Sequence, residues 1–302
     1  MREKRKKNSN MKKTYILIIT VFLTTIFVFS FFYYEFLTSI ETNKKIRGST
    51  VKQSKEVFRI GVVSRYSPSL IFEGYQPVID YLNQKTDYHF ELVPGKSYID
   101  TINKLSSNDI QFAFLGDIVY LKERKRAKLI PIVCPLNREK KPFTFVVTIT
   151  RKDSNINSLC DGKLKSIALP SENSFSSIWT IIMLKKCKKQ PLIQHFKHHH
   201  TVVLEVLNGK YQAGTVRKQV ANEFLNKGIK VIEKSVKIPS PPLVASPAVD
   251  KKVIEQVKKA LLDFKPEQKR IIPEFENGFT EAGYGMYSKL EEYLKKEGYR
   301  LR

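Results

Sequence analysis

From Val57 onward, apolar and polar positions alternate between two periods. Short β-rich runs, FRIGVVS (Phe58–Ser64), FELVP (Phe90–Pro94), IQFAFLG (Ile110–Gly116) and LIPIVCP (Leu129–Pro135), read as buried strands. Segments with apolar residues at helical spacing lie between them: Leu70–Lys85, Tyr98–Leu105 and a short one near Tyr120. FTFVVTITR (Phe143–Arg151) is long for a strand and opens a second set of units: SIAL, a serine-rich turn and helix, HF, a helix over Thr201–Asn208, YQAGTV, a helix to about Asn226, and VIEK. After IPSPPLVAS (Ile238–Ser246) the pattern predicts only helices, over Lys251–Phe264 and Met286–Glu297. Strand and helix in alternation predict an α/β fold with helices packed on sheet faces. Two similar lobes are implied, with the extended segments Phe143–Thr150 and Ser235–Val244 as the passages between them. A cleft between lobes is where ligands prefer to sit.

The N-terminus carries a different pattern. Residues 1–13 hold seven Lys/Arg and one Glu, and the 21 residues from Thr14 to Tyr34 carry no charge. That length matches the roughly 20 residues a helix needs to cross a bilayer, and the basic head predicts a cytoplasmic N-terminus with the remainder exported. FFYYEFLTSI provides no small-residue cleavage pattern, and the first cysteine is Cys134, so the stretch reads as an uncleaved signal anchor rather than a signal peptide or lipoprotein leader. Residues 35–56 are read as a linker.

The chain is 302 residues long with 42% hydrophobic content, enough for a sizeable core, and its net charge is +24. The lysines of the exported part are scattered and accompany no nucleic-acid-binding motif, so they read as a solvated basic surface that attracts anions. Cys134, Cys160 and Cys187 have no metal-ligand spacing and permit at most one disulfide. The histidines of HFKHHH are adjacent in one run without a second ligand cluster, and no metal site is expected.

The candidate chemistry centres on KSIALPSENSFSS (Lys165–Ser177), a strand emptying into a turn that opens the helix IWTIIMLKK. A helix N-terminus presents unpaired N–H groups and the positive end of the macrodipole, and Ser174, Ser176 and Ser177 add hydroxyls without adding negative charge. The same residues read equally well as simple caps, which serine makes anywhere.

The order IGVVSRYSP, PGKSYIDTINKL, IQFAFLGDIVY, VTITRKDSNINSL, PSENSFSSIW, HHHTVVLEVLNGKYQAGTV and IPSPPLVASP, over about Val57–Phe264, resembles the periplasmic phosphate/phosphite/phosphonate-binding proteins of ABC importers. The resemblance implies an α/β, two-lobed type II periplasmic-binding-protein fold behind an N-terminal transmembrane helix. Lobe 1 would be residues 57–146 and 240–302, and lobe 2 residues 147–239. It implies binding without catalysis, no cofactor, and a small oxyanion and an ABC permease as partners.

Relatives read Ser-Thr-Ser-Gly at the serine turn, where this chain has Ser174, Phe175, Ser176 and Ser177. The family's anion-contacting His corresponds to His199, its first-lobe aromatic to Tyr98, and a second Tyr, at the start of the crossing strand, to Phe143. Members that bind aminoalkyl phosphonates carry carboxylates near Arg217–Gln219 and at Pro241, and neither acid is present here. A buried ammonium would lack its counter-charge, so an amine-free anion is expected, with Arg217 adding positive charge. The alternative is a membrane-tethered sensor or accessory protein on a degenerate version of the fold.

Overall fold

The computed structural model of the chain describes residues 23–34, 55–63, 67–266, 272 and 274–301. It falls into two units, Met1–Ser54 and Lys55–Arg302. In the first, residues 23–34 are helical with exposed apolar side chains. The remainder of the expected anchor, residues 14–22, lies outside the described residues, as do the basic head and residues 35–54 of the linker. No helix among the described residues is long and apolar enough to cross a membrane.

The second unit contains two α/β lobes. The first sheet is built from β1 (Val57–Val62), β2 (His89–Pro94), β3 (Phe112–Phe114), β4 (Ile130–Pro135), β12 (Leu243–Ala245) and β13 (Phe279–Glu281), in the order β13-β4-β12-β3-β1-β2. β1 runs parallel to β2 and β3, and β12 enters antiparallel between β3 and β4. Helices α1 (Pro68–Lys85), α2 (Tyr98–Ser106) and α3 (Asp117–Glu123) follow the first three strands. β13 corrects the expectation of helices alone after Ile238–Ser246. Its three residues are too few to display a period, and they pair antiparallel with β4 at Phe279–Pro135 and Glu281–Val133.

The second sheet holds β6 (Val146–Arg151), β7 (Ser166–Leu169), β8 (Leu192–His195), β9 (Ala213–Arg217) and β10 (Ile229–Lys234), in the order β10-β6-β9-β7-β8. α4 (Phe175–Lys186), α5 (His199–Leu207) and α6 (Lys218–Asn222) follow β7, β8 and β9. β9 is buried at every position, as its central place requires, whereas edge strand β8 alternates exposed and half-buried residues. Gly214 allows α5 to sit close on β9. A Cβ there would stand 2.8 Å from Val202 Cγ1 and 2.9 Å from Val206 Cγ2.

The chain passes between the sheets twice, through β5 (Phe143–Thr144) and β11 (Ile238–Pro239), which pair antiparallel with each other. Val146 already belongs to the second sheet. Two helices complete the fold. α7 (Lys251–Leu262) buries Val253, Ile254, Val257, Ala260 and Leu261, an apolar stripe at helical spacing, and is capped by Asp250, which accepts from the Lys252 N–H. α8 (Tyr284–Lys296) packs on α3, and Arg124 Nη2 pairs with Glu291. It also reaches the second lobe, where Lys186 pairs with Glu297 and the Phe175 and Tyr293 rings meet at 6.4 Å.

Candidate functional site

β7, β8 and β9 lie side by side and β7 is parallel to both neighbours, so their C-terminal ends deliver the serine turn, His199 and Arg217 to one edge of the second lobe. In the first lobe β2 and β3 likewise deliver Tyr98 and Asp117. The C-terminal ends of parallel strands are where open α/β sheets bind ligands. The edges face each other: Arg217 Nη2 donates to Asp117 Oδ1 at 2.9 Å across the lobes, with side chains only 6% and 2% exposed.

Two hydroxyls of the serine turn are taken up by the turn itself. Ser174 is the N-cap of α4, its Oγ accepting the Ser177 N–H at 3.2 Å, and Ser177 Oγ donates to the Pro170 carbonyl at 2.9 Å. Those two serines hold the turn in shape. Ser176 differs. Its residue is 1% exposed and its Oγ has no hydrogen-bond partner. At the other end of α4, Lys185 and Lys186 complement the negative pole of the dipole, and the first turn carries no acidic residue.

His199 begins α5 and is buried, its Nδ1 accepting the Arg217 N–H at 3.3 Å. With Nδ1 an acceptor, the neutral ring carries its proton on Nε2, which makes that nitrogen a donor. Two of the other histidines are held in place by partners. His195 Nδ1 bonds the Pro170 carbonyl at 2.7 Å, bracing the serine turn, and His200 pairs with Glu223 at 3.0 Å. Among the described residues no group of three or more His, Cys, Asp or Glu could hold a metal ion.

Tyr98 is half-buried beside the α3 N-terminus, where a Cβ on Gly116 would lie 3.5 Å from its Cε1. With Lys96, Asn173, His195 and Lys197 it lines an open groove of about 490 Å³ between the lobes. Phe143 lines a different cavity, of about 120 Å³, with Gln219 and Pro241. Glu139, Glu223 and Glu274 also line it, acids the sequence pattern did not place there. The Phe143 ring stacks edge-on against Phe145 at 5.6 Å with the Lys237 ammonium 4.6 Å from its centroid. Phe175 is 1% exposed, and its ring is taken up by the packing against Tyr293.

Neither the groove nor the cavity is lined by Ser176, His199 or Arg217. The groove does take in Ser171, Glu172 and Asn173 of the serine turn, and the Arg217–Asp117 pair joins the lobes by side chains. Asp117, which the sequence pattern did not single out, is the first-lobe member of that pair. Its Oδ1 also accepts the Ile118 N–H at 3.0 Å, whereas its Oδ2 and Arg217 Nη1 are buried without partners. Lys122 Nζ adds a second bridge to Asn173 Oδ1 at 2.9 Å. Below Asp117 the rings of Tyr120 and Tyr287 approach to 4.7 Å, and burial pushes the Tyr120 hydroxyl up to about 12. Burial likewise raises Tyr287, whose Oη donates to the Ser240 carbonyl at 2.8 Å.

The fold has solved counterparts. A binding protein component of an ABC phosphonate transporter from Pseudomonas aeruginosa superposes with a TM-score of 0.69 at 16% identity, over 81% of this chain and 87% of that one. PhnD1 from Prochlorococcus marinus, solved in complex with methylphosphonate, gives 0.68 at 17% identity, over 80% and 98%. A Xanthomonas citri protein solved bound to ATP gives 0.63 at 12% identity, over 80% and 98%. At these identities the likeness establishes the two-lobed periplasmic-binding-protein fold and no ligand. Residues 60–283 match the family model described as "ABC transporter, phosphonate, periplasmic substrate-binding protein", and the chain belongs to that family.

Proposed function

We propose that this protein binds a small phosphorus oxyanion (phosphate, phosphite or a simple phosphonate) outside the cytoplasm and delivers it to an ABC permease, held at the membrane by residues 14–34. The observation that carries the reading is the buried Ser176 hydroxyl without a partner at the start of α4, on the same sheet edge as His199 and Arg217. A buried hydroxyl left unbonded costs about 1–3 kcal/mol, and an anion at the helix N-terminus would satisfy it. Ser174 and Ser177 shape the turn, Phe175 contributes its backbone N–H as the first helical residue, and His199 Nε2 and Arg217 supply further donors. Tyr98 closes the first-lobe side, and Phe143 is a wall beyond the anion rather than a partner to it. Arg217 stands where amine-binding relatives carry an acid, which supports an anion without an ammonium group.

Calorimetry of the purified full-length chain against methylphosphonate, phosphate and 2-aminoethylphosphonate tests the reading. Binding of the first two is expected in the micromolar range or tighter, with the amine weaker. The Ser176→Ala variant should lose about tenfold or more in affinity while keeping its melting temperature. The buried ion pair that joins the two lobes favours a second reading, a membrane-tethered sensor or accessory protein with a degenerate cleft. Absence of heat with every oxyanion would select it.

A further inference from the structure

Arg217 and Asp117 are joined by one hydrogen bond where a guanidinium and a carboxylate can make two. The unused atoms are Arg217 Nη1 and Asp117 Oδ2, both buried and both without a partner. Each shares a carbon with an atom of the interlobe bond, so both lie between the lobes, on the side of the fold that carries Ser176 and His199. Arginine only donates and an ionised carboxylate only accepts. The pair therefore leaves one donor and one acceptor unused, and a group with one acceptor oxygen and one hydroxyl hydrogen would complement it.

We propose that Asp117 is a specificity-determining residue that selects a protonated phosphorus oxyanion, the P–OH of a phosphonate or phosphate donating to Asp117 Oδ2 while a neighbouring P–O⁻ accepts from Arg217 Nη1. The proton stays on the ligand and no bond is made or broken. The inference rests on the oxyanion reading above and deepens it. A fully ionised anion such as sulfate would set an oxygen without hydrogen against Oδ2, so that two acceptors of like charge face each other in a site that excludes water. Sites that hydrogen-bond a ligand hydroxyl reject the analogue lacking it by large factors, because the protein group is left unbonded. The rival occupant of Oδ2 is an ammonium group on the ligand. The Arg217 guanidinium beside the carboxylate disfavours it, since it would place two cations on one anion.

The test is calorimetry of the full-length wild type and Asp117→Asn with four probes: methylphosphonate, its monomethyl ester, sulfate and 2-aminoethylphosphonate. The wild type is expected to bind methylphosphonate at least about a hundredfold more tightly than sulfate, and more tightly than the monomethyl ester, which keeps a negative charge but has no P–OH. In Asp117→Asn, whose amide can donate as well as accept, the ratio of methylphosphonate to sulfate should fall to about tenfold or less.

Wild-type binding of methylphosphonate and sulfate with equal affinity overturns the proposal. So does an unchanged ratio in Asp117→Asn, or tighter binding of 2-aminoethylphosphonate that the substitution abolishes. If Asp117→Asn does not fold, the wild-type preference over sulfate and the ester decides alone. Failure of the wild type to bind any probe counts instead against the oxyanion reading itself.

Discussion

Cys160 and Cys187 form a disulfide, and Cys134 is left as a buried thiol. The bridge ties the segment before β7 to the C-cap of α4, the helix whose first turn carries the serines. It encloses a separation of 27 residues. In the chain-entropy treatment a loop of that length removes about 12 cal/mol/K from the unfolded ensemble, or about 3.5 kcal/mol at 25 °C. For a unit of this size 1 kcal/mol moves the melting temperature by about 2 °C, so Cys160→Ser with Cys187→Ser should melt about 7 °C below the wild type. Differential scanning calorimetry of both proteins without reductant measures the difference. Thiol titration of the unfolded, unreduced wild type should find a single reactive group, Cys134. Before unfolding that group should be silent, because burial pushes its thiol up to about 12. Three titratable thiols, or melting curves that coincide within about 1 °C, would refute the reasoning.

Two further outcomes concern residues whose surroundings depart from what their type suggests. Phe175→Thr, which restores the hydroxyl of relatives, should lower the melting temperature by about 6–10 °C without improving oxyanion affinity, because the ring is fully buried against Tyr293; thermal melts and calorimetry check both halves. Burial raises the Glu233 carboxyl above its ordinary value, and its Oε2 has no partner, so the fold favours the protonated form and loses that preference as pH rises through the raised value. Glu233→Gln should therefore melt slightly above the wild type at pH 7, by less than about 3 °C, and no higher than it at pH 4.

Much of the fold was legible because it is written in periods. The β-rich runs at Phe58, Phe90, Leu129 and Phe143 and the amphipathic segments between them are each long enough to show their spacing, and each appears within a few residues of its expected place. β13 was not legible, since three residues carry no period and its strand character comes from pairing with β4. The disulfide was open for a different reason. Three cysteines allow three pairings, and only the approach of the α4 C-cap to the loop before β7 decides among them. The role of Phe175 depends on Tyr293, which lies at the far end of the chain and whose helix reaches across from the first lobe.

The candidate site was half legible, and the missing half has one physical cause. Serines at a helix N-terminus are both caps and anion ligands, and composition cannot say which hydroxyl does which. Hydrogen bonding identifies the structural ones: Ser174 and Ser177 are consumed by the turn, and Ser176 Oγ has no partner. Asp117 was invisible for a related reason. An Asp in the first turn of a short helix reads as an ordinary dipole partner, and its significance arises from an arginine 100 residues later on the opposing lobe. A residue type with a good local explanation hides a non-local one. Breaking the pair by removing either partner would leave an uncompensated buried charge, a loss of about 3–5 kcal/mol, whereas an apolar pair of similar volume would be tolerated for stability alone. The ion pair is thus poorly explained as a stabilising contact, and on the proposal made above it is kept for the ligand group that its two unused atoms would hold.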